Sequence, residues 1–238
     1  YYALTGNLAK GRELVKLSAK LTRRDATGQM WLAEDYGRTK QIDDALQAFD
    51  IVIRTEPDTR EVAFQAMGGA LADTKFRESF VRLASKNPPW LPEFLAFNIG
   101  TTARVSELAQ AVRELQPLPK AALPEKEAGA LLTRLVAFAP IDEARSFYLS
   151  LPGARESLLT SLDYKSAKEA FLYPPFGWEV FDNAGVQAFG SGQGQNAAIE
   201  AIVLPGYRGT ASRNLLFLPQ GPLRLAGAAD LTHMAPGA

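Results

Sequence analysis

The sequence predicts an α+β protein of two domains, a larger helical domain followed by a small antiparallel β domain. Charge divides the chain most clearly, because residues 1–170 carry 45 of the 52 charged side chains and 171–238 carry only seven. The second part instead holds 10 of the 19 glycines and 6 of the 15 prolines. Charged periodic segments are typical of helices, whereas glycine and proline mark turns. We therefore predict a helical domain over 1–162, a linker over 163–173 and a β domain over 174–238.

Composition narrows the classes of function. Lysine plus arginine and aspartate plus glutamate both count 26, so the formal net charge is zero, which argues against nucleic acid as a partner. The chain has no cysteine, which excludes disulfides and thiolate chemistry. Its single histidine, His233, lies near the end, and we expect it to be a solvated tail residue. No apolar run is long enough to span a bilayer, so we expect any membrane anchor to lie outside the given sequence.

The clearest pair of amphipathic helices in the helical domain lies in the segment MWLAEDYGRTKQIDDALQAFDIVIRTEP, residues 30–57. The residues at helical spacing are Leu32, Ala33 and Tyr36 in the first helix and Ala45, Phe49 and Val52 in the second. Asp43 and Asp44 lie where negative charge favours a helix start, and Pro57 should end the second helix.

This pattern resembles the tetratricopeptide repeat, a helix–turn–helix unit of 34 residues. Further residues at matching positions are Leu8, Gly11, Val15 and Ser18, then Phe76, Ser79 and Leu83, then Leu131, Leu132, Ile141, Ala144, Tyr148 and Leu151. The resemblance implies an α-solenoid whose groove binds a protein partner. The groove residues that it implies, mainly on first helices, are Gln29, Glu34, Asp35, Arg38 and Gln65.

Short strands replace helices after Pro175. GWEVF (177–181), AAIEAIVLP (197–205) and the run 213–229 carry β-like patterns, and PQG at 219–221 signals a hairpin. Such strands predict an antiparallel sandwich or jelly roll, although about five strands are few for a closed one. We therefore expect either that the chain is truncated or that another subunit or the helical domain covers an open sheet edge.

The aromatic stretch YPPFGWEVFDN, residues 173–183, has two interpretations. Its aromatic residues are Tyr173, Phe176, Trp178 and Phe181. If they point inward they form the strand core or a seam between the domains, which we favour; if they point outward they form a platform that stacks on sugar rings. Glu179, Asp182 and Asn183 could also bind calcium, but we predict no metal site.

The same stretch, with the glycine-rich middle and the run Arg213 to Gly227, is similar to bacterial proteins in which tetratricopeptide repeats precede a jelly roll like a carbohydrate-binding module. Those proteins belong to the cell envelope and are linked with exopolysaccharide production. The resemblance implies an envelope scaffold with a protein partner, a homo-oligomer formed through the β domain, and a polysaccharide as the alternative ligand.

Catalytic and cofactor motifs are weak. FGSGQGQNAAIEAI (189–202) has two glycines of a dinucleotide fingerprint, but Gln195 stands at the third position, so a hairpin loop is the better interpretation. Glu34 and Asp35 are adjacent on a helix and point in different directions, so they should not converge on one substrate. We predict no cofactor and no enzymatic activity.

Overall fold

The computed structural model describes residues 8–21, 25–115, 123–160, 171–192 and 198–218. Its described part is helical up to residue 149, apart from short turns, and then irregular with short strands. The α-helices of the described part are α1 (Leu8–Leu21), α2 (Ala26–Arg38), α3 (Ile42–Thr55), α4 (Arg60–Ala70), α5 (Thr74–Ala84), α6 (Leu91–Thr101), α7 (Val105–Glu114), α8 (Glu125–Phe138) and α9 (Ile141–Leu149). Two short 3-10 helices, Pro57–Thr59 and Glu156–Leu159, follow α3 and α9. None of these helices is both long and apolar enough to cross a membrane.

The β region contains two small antiparallel sheets in its described residues. Its strands are β1 (Glu179–Val180), β2 (Asp182–Asn183), β3 (Val186–Ser191), β4 (Ala198–Val203) and β5 (Ser212–Arg213). One sheet pairs β1 with β5, and the other has the order β2-β3-β4. The hairpin predicted over 189–202 is confirmed, because β3 and β4 pair antiparallel with Ser191 opposite Ala198. The PQG hairpin and His233 lie outside the described residues.

The chain divides into two compact units. Unit 1 comprises Tyr1–Glu127 and Arg134–Glu143, and unit 2 comprises Ala128–Thr133 and Ala144–Ala238. This division falls earlier in the chain than the predicted linker over 163–173, most of which lies outside the described residues. The C-terminal part of α9 belongs to the same unit as the strands, because its buried aromatic residues pack with residues from the start of the β region.

Local sequence determines where the helices of unit 1 begin and end. Asp25 caps α2, its carboxylate accepting a hydrogen bond from Gly28 N at 3.1 Å, and Asp73 caps α5 in the same way. Helices α2 and α3 occupy the segment where the sequence predicts a helix pair. Asp43 and Asp44 lie in the first turn of α3, as predicted, and that helix ends two residues before Pro57.

Unit 1 is built from successive helix pairs. We call α2, α4 and α6 the first helices and α3, α5 and α7 the second helices. The second helices pack on one another in order, α3 on α5 and α5 on α7, while α4 packs on α6. Buried residues recur at equivalent positions 31 residues apart, as in Ala33, Phe64 and Leu95 of the first helices. The chain therefore repeats the same packing with different side chains.

Aromatic rings fill the centre of unit 1. Phe64, Phe80 and Phe94 are almost completely buried, with Phe94 meeting Phe80 at 4.9 Å and Phe64 edge-on at 5.7 Å between ring centroids. Each such pair contributes about 0.5–1.5 kcal/mol beyond the burial of apolar area. Trp90 joins this cluster and donates a hydrogen bond from Nε1 to Asp50 Oδ1 at 2.8 Å. The indole therefore links α3 to the start of α6.

Polar side chains cross between helices at several other points. Asn98 of α6 is buried, and its Nδ2 donates to the carbonyl oxygens of Phe64 and Phe94 at 3.2 and 3.1 Å. Gly68 of α4 faces this amide so closely that a Cβ there would lie 1.9 Å from Asn98 Oδ1. The glycine therefore allows α4 and α6 to approach each other at this point.

The buried Arg77 and the half-buried Arg134 also donate hydrogen bonds to neighbouring helices. Arg77 of α5 donates to Glu114 Oε1 at 3.2 Å and to the carbonyl of Leu71 at 3.0 Å. Arg134 of α8 donates to two carbonyl oxygens at the end of α6, those of Ile99 and Thr102. These contacts satisfy buried polar groups at places where one helix meets another.

Aromatic side chains also form the core of unit 2. Phe176 and Tyr148 are completely buried and meet at 5.3 Å between ring centroids, while Tyr173 meets Tyr148 edge-on at 6.4 Å. Tyr173 Oη donates to the carbonyl of Pro152 at 2.9 Å, and the Pro174–Pro175 bond that follows is cis. The start of the β region is thus folded around the end of α9.

Candidate functional site

The exposed side of the first helices carries a repeated set of positions. Glu34, Gln65 and Ala96 are exposed at equivalent positions of α2, α4 and α6, and the residues four places later are exposed too. We call these six residues the outer row: Glu34, Arg38, Gln65, Gly69, Ala96 and Gly100. Residues four apart lie on one face of a helix, so each first helix contributes one pair. Along the row the side chains change from charged to small.

Three of the five predicted groove residues belong to the outer row, namely Glu34, Arg38 and Gln65. The prediction is wrong for Gln29 and Asp35, which are buried and cannot present a surface to a partner.

Asp35 is held by an arginine from α1. Its two carboxylate oxygens accept hydrogen bonds from Arg12 at 2.6 and 2.7 Å. The hydrogen bond to Asp35 and its negative charge raise the pKa of Arg12. Since Arg12 lies 23 residues earlier in the chain, no local pattern around Asp35 shows that the carboxylate has a partner. Asp35 therefore joins α1 to α2 rather than binding a ligand.

In the part of unit 1 that the structure describes, neither Gly69 nor Gly100 occupies a position that requires glycine. A Cβ placed on either residue would meet nothing within 4 Å, and neither residue has the positive φ that favours glycine. A helical glycine costs about 0.5–1 kcal/mol of stability relative to alanine. The first helices α4 and α6 therefore carry this cost at the same exposed position. In α2 the corresponding residue is Arg38, and its neighbour Gly37 is a glycine at which a Cβ would also meet nothing within 4 Å.

A shallow pocket of about 320 Å³ lies on the second helices. Its lining residues are Lys40, Ile42, Asp43, Lys75, Glu78, Ser79 and Arg82. Arg82 donates to Asp43 Oδ1 at 3.1 Å and to Ser79 Oγ at 2.7 Å, so part of this charge is used internally. The lining has three cationic side chains and two carboxylates, so their charges nearly cancel. The pocket therefore does not select a ligand of one charge.

The predicted aromatic platform is divided by the structure. Tyr173 and Phe176 lie in the core of unit 2, so a sugar ring cannot stack on them. Trp178 and Phe181 are half-buried, and the guanidinium of Arg213 lies 5.8 Å from the Phe181 ring centroid. Burial raises the pKa of Tyr148 beside this cluster, against the opposite effect of its contact with Arg155.

The residues considered for calcium make other contacts. Glu179 forms an ion pair with Arg213 at 2.5 Å, and Asn183 Oδ1 accepts a hydrogen bond from Val186 N at 3.1 Å across a turn. In the described ranges no group of three or more histidine or acidic residues could hold a metal ion.

A second exposed surface lies along β4. Large apolar side chains at its C-terminal end and beyond are half-exposed, including Ile202, Val203, Leu204 and Tyr207. Periodicity correctly predicts a strand here, but it does not show that most side chains of β4 would be exposed.

Comparison with protein-family models gives no match for this chain, and comparison with curated proteins finds none either.

Proposed function

We propose that the protein is a non-enzymatic scaffold that binds a protein partner along the outer row. The observation that carries the proposal is the recurrence of this row, in which equivalent positions of three helices are exposed together. Evenly repeated helix surfaces suit an extended ligand such as a peptide segment or a helix of another protein.

The solenoid architecture is part of the proposal. The first helices begin at residues 26, 60 and 91, and the second helices at 42, 74 and 105. These steps are close to the 34 residues of a tetratricopeptide repeat. The packing of α3 on α5 and of α5 on α7 is the nearest-neighbour packing that such a solenoid needs.

The open glycines indicate where the partner approaches most closely. Without side chains at Gly69 and Gly100, a partner backbone can reach the helix surface itself. At the other end of the row, Glu34 and Arg38 offer one charge of each sign. We propose that the partner places small or backbone atoms over α4 and α6 and a polar residue over α2.

We place this scaffold in the bacterial cell envelope and assign an assembly contact to the β region. The support is the resemblance to envelope proteins that combine helical repeats with a jelly roll. Engagement of carboxylates in structural pairs, such as Asp35 with Arg12 and Glu179 with Arg213, supports a role without catalysis.

Site-specific photo-crosslinking tests the outer row. A photoreactive residue at Gln65, which is exposed, should give a discrete cross-linked product with a protein from envelope extract, and one at exposed Gln47 of α3 should not. The variant Gly69→Arg/Gly100→Arg should reduce the yield at least tenfold while α4 and α6 stay folded, since arginine is a better helix former than glycine. Equal yields at Gln65 and Gln47, or undiminished capture by the double variant, would contradict the proposal.

Glycan binding is the second candidate, and one observation favours it. Tyr207 is half-exposed, and its ring lies against Gly185, where a Cβ would be 2.0 Å from the ring. A tyrosine ring supported from behind by backbone can hold a sugar ring through stacking. If unit 2 binds a polysaccharide, retardation in an affinity gel should be lost in Tyr207→Ala and kept in Phe176→Leu, because Phe176 is buried.

A further inference from the structure

The outer edge of β4 has no neighbour among the described residues. β4 is the last strand in the order β2-β3-β4, and its pairing with β3 is continuous from Ala198 to Val203, without a bulge. Edge strands are usually protected by lysine, proline, a bulge or a covering segment. β4 contains neither lysine nor proline, so its sequence leaves the edge able to accept another strand.

The register identifies which backbone groups point outward. Leu204 N donates to the carbonyl of Gly185 at 2.9 Å, so these two residues form a hydrogen-bonded pair. Hydrogen-bonded and non-bonded pairs alternate along an antiparallel ladder. Glu200 and Ile202 therefore direct their N–H and C=O groups toward β3. The residues that direct theirs outward are Ile199, Ala201 and Val203.

The side chains of β4 are unusually apolar for a strand this exposed. Ile202 and Val203 are 55% and 51% exposed, and Glu200 is the single charged residue of the strand. Val203 lies opposite Val186 on the same face of the sheet. Val186 is buried, whereas Val203 is half-exposed. The apolar face of the sheet thus continues beyond its covered area.

We propose that β4 pairs with β4 of a second copy of this chain, antiparallel, about a two-fold axis at Ala201. In this register Ala201 faces its own counterpart and Ile199 faces Val203 of the other copy. All three outward-pointing residues of each strand are then used, which gives about six backbone hydrogen bonds. The inference rests on the assembly role proposed above for the β region, and it does not depend on partner binding by the outer row.

Charge distinguishes this register from its neighbours. A shift that centres the axis on Glu200 would place the two carboxylates directly opposite each other, which is destabilising. A shift that centres it on Ile202 would leave Ile199 without a partner. With the axis at Ala201, Glu200 lies opposite Ile202 of the other copy. The strand is therefore most complementary to itself in one arrangement.

The size of the contact indicates a reversible dimer. Six residues form a ladder about 20 Å long, and stable interfaces bury about 800 Å² on each partner. A ladder of this length, with the exposed side chains of Ile202, Val203 and Leu204 beside it, covers roughly half of that area. We expect a dissociation constant in the micromolar range, so that association depends on concentration.

Sedimentation and cysteine cross-linking of the full chain test the proposal. Because the chain has no cysteine, Ala201→Cys introduces a single thiol. The two Cα atoms at the axis should be about 5.5 Å apart, which permits a disulfide. Mild oxidation should give a covalent dimer of Ala201→Cys but not of Gln187→Cys, an exposed site on β3.

In Ala201→Pro the lost N–H points outward, so the dimer should weaken at least tenfold; Val203→Lys should have a similar effect.

Three results would overturn the two-fold pairing. They are a monomer at about 100 μM with its circular dichroism spectrum intact, equal cross-linking at positions 187 and 201, and open-ended aggregation. A monomer whose Ala201→Cys thiol is also protected from alkylation would assign the edge to another part of the same chain. Photo-crosslinking at Gln65 in the same samples separates the two proposals. If the protein is a monomer but still cross-links to a partner through position 65, only the β4 inference is contradicted. If it forms the dimer but does not cross-link to a partner, only the proposal for the outer row is contradicted.

Discussion

Substitution of Gly68 by alanine is expected to destabilise unit 1 although alanine is the better helix former. The added Cβ would lie 1.9 Å from Oδ1 and 2.8 Å from Cγ of Asn98. Asn98 is 2% exposed and fixed by its two hydrogen bonds, so it can make room only by giving them up. The clash should therefore expel the amide rather than shift it slightly.

The magnitude follows from the two hydrogen bonds that the Asn98 amide would give up. Each of them contributes about 1–1.5 kcal/mol, and the strain of accommodating the added methyl group costs about 1 kcal/mol more. The gain in helix propensity from glycine to alanine offsets about 1 kcal/mol. We expect Gly68→Ala to lower the free energy of unfolding by about 2–3 kcal/mol.

Urea unfolding followed by circular dichroism measures this change. With a slope of about 2–3 kcal/mol per molar urea, the midpoint should fall by about 1 M. The neighbouring Gly69 is the matched control, because a Cβ there meets nothing within 4 Å. Gly69→Ala should leave stability unchanged or raise it by up to about 1 kcal/mol.

A double-mutant cycle isolates the clash. In Gly68→Ala/Asn98→Ala the new methyl group occupies space that the amide has left, so the pair should be more stable than the sum of the two single changes predicts, by at least about 1.5 kcal/mol. If Gly68→Ala is as stable as Gly69→Ala, or if the two changes are additive, the close approach of α4 and α6 does not depend on this glycine.

Two further predictions concern the other core contacts. Trp90→Phe keeps the ring among its aromatic neighbours but removes the hydrogen bond to Asp50, so thermal unfolding should report a loss of about 1.5–3 kcal/mol; an unchanged melting temperature would show that the bond contributes nothing. Burial raises the pKa of Tyr148 above the unfolded value of about 10. The stability that the buried, neutral phenol contributes is therefore fully present below the unfolded pKa and is lost as pH rises through the folded pKa. Stability measured by urea titration should therefore fall above about pH 10 in the wild type and fall less in Tyr148→Phe, and parallel curves would refute the assignment.

The sequence predicts helices best where charge and apolar residues alternate regularly. The pair formed by α2 and α3 is of this kind, with Pro57 as an unambiguous end. The helix α6 carries little such signal, because LPEFLAFNIGT is apolar around most of its circumference and has one charged residue. Its helical structure depends on burial among other helices, which a local pattern does not contain.

The candidate site was only partly predictable for a similar reason. Glu34 and Asp35 are adjacent acids in the same helix, yet one is exposed and the other is buried against Arg12. A partner 23 residues away decides between them, and the spacing alone cannot reveal it. Gly69 and Gly100 do give a signal in the sequence, because two glycines lie at equivalent positions of successive helices, where the packing does not require glycine.

The arginine that reaches α6 from α8 has a consequence for local opening of the chain. α6 ends without a basic residue in its last turn and passes directly into the extended Thr102. Arg134, which comes 32 residues after Thr102, donates hydrogen bonds to the carbonyl oxygens of Ile99 in the last turn and of Thr102 just beyond it. Fraying of this helix end is therefore governed by a residue outside the helix, and amide hydrogen exchange in the last turn of α6 should accelerate whenever Arg134 withdraws. The exchange rate of a few amides in α6 would thus report on the docking of Arg134.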